Sequence, residues 1–246
     1  MKPKSLKIDS WYHHLDYLFD DPRMDTLVKA ELKRIHPHYS PSIENIFNCM
    51  NYFEFSNTRI VFVFLSPYKQ SQNGVKFATG LATGTPGVDF KTPTLNVMLD
   101  ALGEYLDDPI PDFTFNYTLE HLAKQGILLL NTALTVPTRE GDARSHIGVW
   151  NWFTGGVIQE LSQSLSGLIF VFFGNDAKEL KKYVSHPANH HIIDSCHPVA
   201  THYRLQVNGF DYSKIPDALN FKKYYVFQKV DKILFKLNKE KIQWLR

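Results

Sequence analysis

Cysteine is almost missing from this chain: Cys49 and Cys196 are the only two among 246 residues. Two thiols exclude a disulfide scaffold and any iron–sulfur or multi-cysteine metal site. An excess of one sign of charge is lacking too, with 27 basic residues against 25 acidic ones and a formal net charge of +2. That balance announces no polyanion partner, although a nearly neutral protein can still gather positive charge on one face. No apolar run approaches the roughly 20 residues needed to cross a bilayer, and the opening Met1-Lys-Pro-Lys-Ser-Leu-Lys-Ile-Asp-Ser10 has no signal-peptide core. A soluble protein of the reducing cytoplasm, without membrane attachment, is the expectation. Internal repeats and low-complexity tracts are missing too, and no glycine-rich phosphate loop follows the first apolar run, which speaks against a nucleotide-binding sandwich.

What the chain does contain is a quartet of strand-length apolar runs that stop abruptly in polar, glycine or proline chemistry. They are Val61-Phe-Val-Phe-Leu-Ser-Pro-Tyr68, Gly126-Ile-Leu-Leu-Leu-Asn131, Leu168-Ile-Phe-Val-Phe-Phe-Gly174 and His191-Ile-Ile-Asp-Ser-Cys-His-Pro198. Buried parallel strands read this way, and they deliver residues to a site at their C-terminal edge. Between them, apolar spacing predicts helices over 11–35, 41–50, 94–106, 117–125, 150–165, 176–184 and 219–238, with irregular loops over 69–91 and 138–148. Strand and helix alternate throughout. The expected fold is α/β: a three-layer α/β/α sandwich around a central four-stranded parallel sheet. One domain over 1–246 is expected, with a helical segment at 1–40 and the core at 41–246, in a monomer.

In this order and spacing, Phe64-Leu65-Ser66-Pro67-Tyr68-Lys69, Gly74-Val-Lys-Phe77, Leu128-Leu-Leu-Asn131, Ser145-His146 ahead of Gly148 and Trp150, Phe173-Gly174-Asn175 and His197-Pro198 resemble the motifs of the uracil-DNA glycosylases. The likeness is to the group with bacterial, mammalian and poxviral members, and it runs over roughly residues 40 to 244. It implies a metal-free enzyme that flips a pyrimidine out of DNA and hydrolyses its N-glycosidic bond, with uracil as the default base. The resemblance implies that Phe77 stacks on the base, Asn131 reads the pyrimidine edge through an amide that both donates and accepts, and Tyr68 presses against C5 to exclude thymine. It implies that His197 steadies the departing base as a neutral donor. Backbone and hydroxyl contacts to DNA are implied at Thr92, Pro93, Thr94, Ser145, His146, Gly174, Asn175, Thr201, Tyr203 and Arg204. Lys69, Lys76, Arg139 and Arg144 would add charge along that edge.

The chain also departs from that family. Ser66 stands where the family carries the aspartate that activates water, and a general base typically contributes about 10²–10⁴-fold. Ser66 orients water without charge, or Asp142, Glu140 or Asp194 replaces the carboxylate, or the protein binds DNA without cutting it. Leu65 and Phe64 replace the family's glutamine and glycine beside the base pocket, which suggests an altered substrate. The rival expectations are therefore a glycosylase for a modified pyrimidine, such as glucosylated hydroxymethylcytosine in phage DNA, serving defence, and a DNA-binding or replication accessory protein without catalysis. The last loop lacks the family's leucine wedge, leaving Tyr203, Arg204 or Leu205 as candidates for it.

Overall fold

The computed structural model describes residues 2–26, 32, 38–111, 114–139 and 142–245. Four strands, β1 (Ile60–Phe64), β2 (Ile127–Asn131), β3 (Ile169–Phe173) and β4 (His191–Ser195), pair in the order β2-β1-β3-β4, every pair parallel. Flanking them are α1 (Asp9–Phe19), α2 (Pro93–Leu106), α3 (Ile147–Ser164), α4 (Pro198–Val207) and α5 (Val226–Lys236). Strand side chains alternate between faces, so each apolar run divides between two cores. Val61, Val63, Leu128, Leu130, Phe170 and Phe172 pack with Trp11, Leu15 and Leu18 of α1 and Phe153 and Val157 of α3. Ile60, Phe62, Ile127, Leu129, Val171 and Phe173 pack with Leu95 and Met98 of α2 and Val230 and Leu234 of α5. The expected three-layer sandwich is the observed one.

Strands β1, β2 and β3 are buried at every residue, as continuous apolar runs require. The edge strand β4 is different: Ile192 and Asp194 are exposed while Ile193 and Ser195 are buried, which is the alternation of a half-covered strand. Apolar spacing over 11–35 marks α1 and the short helix Pro22–Asp25, and Leu32 is buried, while 27–31 and 33–37 lie outside the described residues. The helix expected over 41–50 is instead two 3-10 turns, Ile43–Asn45 and Asn48–Met50. The segment 69–91 is not wholly irregular, because Ser71–Gln72 and Val75–Lys76 form a hairpin around Asn73-Gly74. Both turn residues have positive φ, 51° and 77°, and Asn-Gly is the pair that tolerates this turn best. The amphipathic helix expected over 219–238 is shorter, since 3-10 turns occupy 217–219 and 221–224 before α5 begins.

Helix α4 was not visible in the sequence pattern. Its apolar positions are sparse, with only Thr201 and Leu205 of its later turns buried, four residues apart on one face. What starts it is local chemistry: His197 caps the first turn and Pro198 takes the first helical position, where a missing N–H costs nothing. On the opposite end of the sheet, Gly126 turns the chain into β2 at φ +82°, and a Cβ there would sit 2.3 Å from the Asn57 carbonyl oxygen. That same glycine's carbonyl accepts from Arg59 N at 2.9 Å and so sets the register of β1 against β2. Gly126→Ala is expected to lower the unfolding free energy by about 2 kcal/mol or more, read as a shift of the urea midpoint. An unchanged midpoint would show that the turn relaxes freely.

Candidate functional site

Two further rungs extend the sheet beyond the last paired residues. Thr132 donates to the Phe64 carbonyl through its amide at 2.8 Å and its hydroxyl at 2.9 Å, and Ala133 N donates to the Leu65 carbonyl at 3.0 Å. The loops after β1 and β2 are thereby fastened side by side, with Asn131 in register with Phe64. Phe64 stacks on Phe173 at 4.1 Å and meets the His197 ring edge-on at 6.0 Å. Phe64 is thus a buried floor beneath His197, not a wall of a wider pocket. Leu65 and Ser66 follow it, both half-buried at the strand exit.

Tyr68 is tethered by its hydroxyl. That group lies 2.7 Å from Thr92 Oγ1 and 3.3 Å from the Thr83 carbonyl, and burial pushes its pKa up to about 12. Thr92 also caps α2 by accepting from Leu95 N. The hairpin turn at Asn73-Gly74 brings the chain back so that Phe77 N donates to the Gln70 carbonyl at 3.0 Å, and the Phe77 ring packs edge-on against Phe90 at 5.1 Å. Tyr68 and Phe77 are therefore both fixed by the segment between β1 and α2.

Asn131 and His197 are the polar side chains expected to contact the base. Asn131 is 5% exposed, and its Oδ1 is buried without a hydrogen-bond partner. A buried amide oxygen in that state costs about 1–3 kcal/mol, which a ligand donor would recover. His197 Nδ1 accepts from Val199 N at 3.2 Å as the helix cap. Because an amide nitrogen can only donate, the ring proton of neutral His197 belongs on Nε2, the nitrogen left for a ligand. Burial lowers its pKa from 6.5 to about 4 against an opposing pull from Asp176, so the ring is neutral at pH 7. Gly174 makes room for it: φ is +89°, and a Cβ there would come within 3.0 Å of His197 Cβ.

Several residues expected to face DNA are occupied inside the protein. Thr201 is fully buried, donates to the Leu219 carbonyl at 2.7 Å and accepts from Phe221 N at 2.9 Å. His146 is buried with its Nδ1 2.9 Å from Thr135 Oγ1, which also accepts from the Trp150 indole at 2.7 Å. Thr92 and Thr94 are buried, and Lys76 turns inward to the Tyr39 carbonyl. By contrast Pro93, Ser145, Asn175, Tyr203 and Arg204 are exposed. Of the wedge candidates, Leu205 is buried under α4 while Tyr203 is 62% exposed.

The carboxylates divide similarly. Asp194 is exposed on β4 and pairs with Lys181 at 2.7 Å. Asp142 is exposed and accepts from Arg144 N at 2.7 Å in the turn before α3, and Glu140 lies outside the described residues. Sequence reasoning passed over Asp176, two residues beyond Gly174, whose charge acts on His197. Its only signal was an acid immediately past a strand exit. Among the described residues, no cluster of His, Cys, Asp and Glu is arranged to hold a metal ion, and no helix is long and apolar enough to cross a membrane.

Similarity to known proteins is extensive. The chain is 37% identical over 223 residues to a uracil-DNA glycosylase of Bacillus thuringiensis strain Al Hakam, covering 90% of this chain and 87% of that protein. A uracil-DNA glycosylase of Bacillus cereus strain AH820 is 36% identical over the same length and the same shares. Among solved structures, mimivirus uracil-DNA glycosylase superposes with a TM-score of 0.79 at 24% identity, covering 98% of this chain and 87% of that one, a likeness of fold alone. No protein-family model matches the chain.

The His197 pKa has a measurable consequence. As pH falls below the ordinary histidine value of 6.5, the unfolded chain gains a proton that folded His197 refuses until about 4. The stability that His197 contributes is therefore complete above about 6.5 and declines as pH falls towards about 4. In NMR titrations the His197 ring carbons are expected to move with a midpoint near 4. A midpoint near 6.5 would contradict the half-buried, capped geometry.

Proposed function

The chain belongs to the uracil-DNA glycosylase family, and from that premise we propose that it extrudes a uracil nucleotide from DNA and hydrolyses the bond between base and deoxyribose. The observation that carries this reading is the pairing, at one sheet edge, of an orphaned Asn131 amide oxygen with a neutral His197 whose donor is Nε2–H. Uracil presents an N3–H donor flanked by the O4 and O2 acceptors. Asn131 answers the first two, and His197 answers O2.

In the proposed reaction the bond from C1′ to N1 breaks first, its electron pair leaving with the base. The negative charge that develops on O2 meets the Nε2–H of His197 in a site where water is thin, which is where a preorganised donor counts most. The deoxyribosyl cation is then captured by water, whose second proton passes to solvent, and an abasic site remains. Ser66 orients that water by hydrogen bonding and supplies no charge, so this protein is expected to be slower than one with a carboxylate there. Phe77 stacks on the flipped ring, and Tyr68, pinned by Thr92, presses on C5. Leu65 lines the same exit. Asp142 acts by shaping the turn that presents Ser145. Pro93, Ser145, Asn175, Tyr203 and Arg204 form the DNA-facing rim, with Tyr203 as the wedge in place of the missing leucine.

Incubation with labelled DNAs carrying uracil, thymine, cytosine, hydroxymethylcytosine or its glucosylated form, followed by alkali, tests the reading. Breaks at uracil are expected. Breaks only at a bulky modified base would move the function to defence against phage DNA, and binding without breaks would make it an accessory protein. Ser66→Asp is expected to raise single-turnover excision of uracil by about 10²-fold or more, from the general-base contribution. Tyr68→Ala is expected to admit thymine, and a variant that still rejects it would remove Tyr68 from the base pocket.

A further inference from the structure

Arg144 and Asp176 join two loops of the site that are far apart in sequence. Arg144 Nε reaches both Asp176 carboxylate oxygens, at 2.9 and 3.0 Å. Arg144 comes from the Asp142–Ser145 turn that leads into α3, and Asp176 from the turn Asn175–Lys178 that leaves β3. The second turn begins at Gly174, whose amide donates to the Ser195 carbonyl at 3.0 Å and whose missing side chain leaves room for His197. The ion pair thus ties the turn that follows Gly174 to the turn that leads into α3.

We propose that this ion pair is a positioning device for His197: Asp176 anchors the Gly174 turn beneath the ring, and Arg144 balances the carboxylate so that the ring faces the departing base as a neutral donor. The proposal rests on the reading of His197 as the leaving-group donor. An unbalanced carboxylate beside His197 favours the imidazolium, and a protonated Nδ1 can no longer accept from Val199 N, so the cap of α4 would be lost. The same bare charge would repel the anion forming on the base.

The other ionisable groups on the surrounding elements leave this role to Asp176. Asp194 is paired with Lys181, His146 is bonded to Thr135, and burial keeps the Cys196 thiol protonated. His202 and Arg204 lie on α4 itself, and Lys178 ends the Gly174 turn, where its positive charge acts on Cys196.

The test uses the full chain as wild type, Arg144→Gln, Asp176→Asn and the double variant, each checked for an unchanged thermal melt. His197 is followed by NMR across pH, and uracil excision is measured in single turnovers. Arg144→Gln is expected to raise the His197 midpoint by about half to one pH unit, and Asp176→Asn to lower it. Excision should fall about tenfold in Arg144→Gln and recover in part in the double variant, which restores the charge balance but not the anchor, a coupling that only groups acting together produce. Unmoved titrations in both single variants would overturn the proposal. So would a double variant as slow as Arg144→Gln with weakened DNA binding, which would make Arg144 a phosphate contact. If the wild type excised no uracil, the proposed function would fall while the titrations still decided the ion pair.

Discussion

The whole site hangs on two hydrogen-bonded rungs formed where the parallel ladder should already have ended. Thr132 and Ala133 donate to the Phe64 and Leu65 carbonyls, and by doing so bind the exit of β1 to the exit of β2. Backbone groups at a strand end need partners, and these rungs supply them without side chains from elsewhere. Ser66 to Tyr68 and Asn131 are thereby placed on one rigid edge. A short loop without the rungs would leave Asn131 and Ser66 to move independently.

On the other half of the sheet, position is fixed by packing and capping. Phe64 and Phe173 stack across β1 and β3, and His197 sits edge-on above Phe64 with its Nδ1 committed to the first turn of α4. The chemistry of the ring follows from that commitment. A helix cap that requires an acceptor nitrogen selects the tautomer and opposes protonation, so one hydrogen bond sets both the geometry and the charge state of the donor.

Much of this was legible in the chain. The runs ending at Ser66, Asn131, Gly174 and His197 gave the sheet, its parallel sense and the edge where polar residues gather, because burial on both faces leaves no other reading of Val61 to Phe64 or Leu128 to Leu130. The Asn-Gly hairpin that places Phe77 was present as a dipeptide signal and was obscured by the surrounding glycines and threonines. Helix α4 was obscured for a different reason: its stability comes from a cap, a proline and two buried residues, none of which leaves a strong apolar period. Burial of Thr201, His146 and Thr92 could not be foreseen either, since a hydroxyl or imidazole reads the same in sequence whether it faces DNA or a carbonyl. Asp176 went unnoticed because an acid after a strand is common, and only its proximity to His197 and its bond to Arg144 distinguish it.

The claim that unites these observations is that a pyrimidine is read between Asn131 and His197. A crystal structure of the protein soaked with free uracil tests it most directly. The ring is expected to stack on Phe77, with the Asn131 amide bonded to N3–H and O4 and His197 Nε2 within hydrogen-bonding distance of O2. Uracil bound elsewhere, or seated at this edge with its O2 turned away from His197, would contradict it.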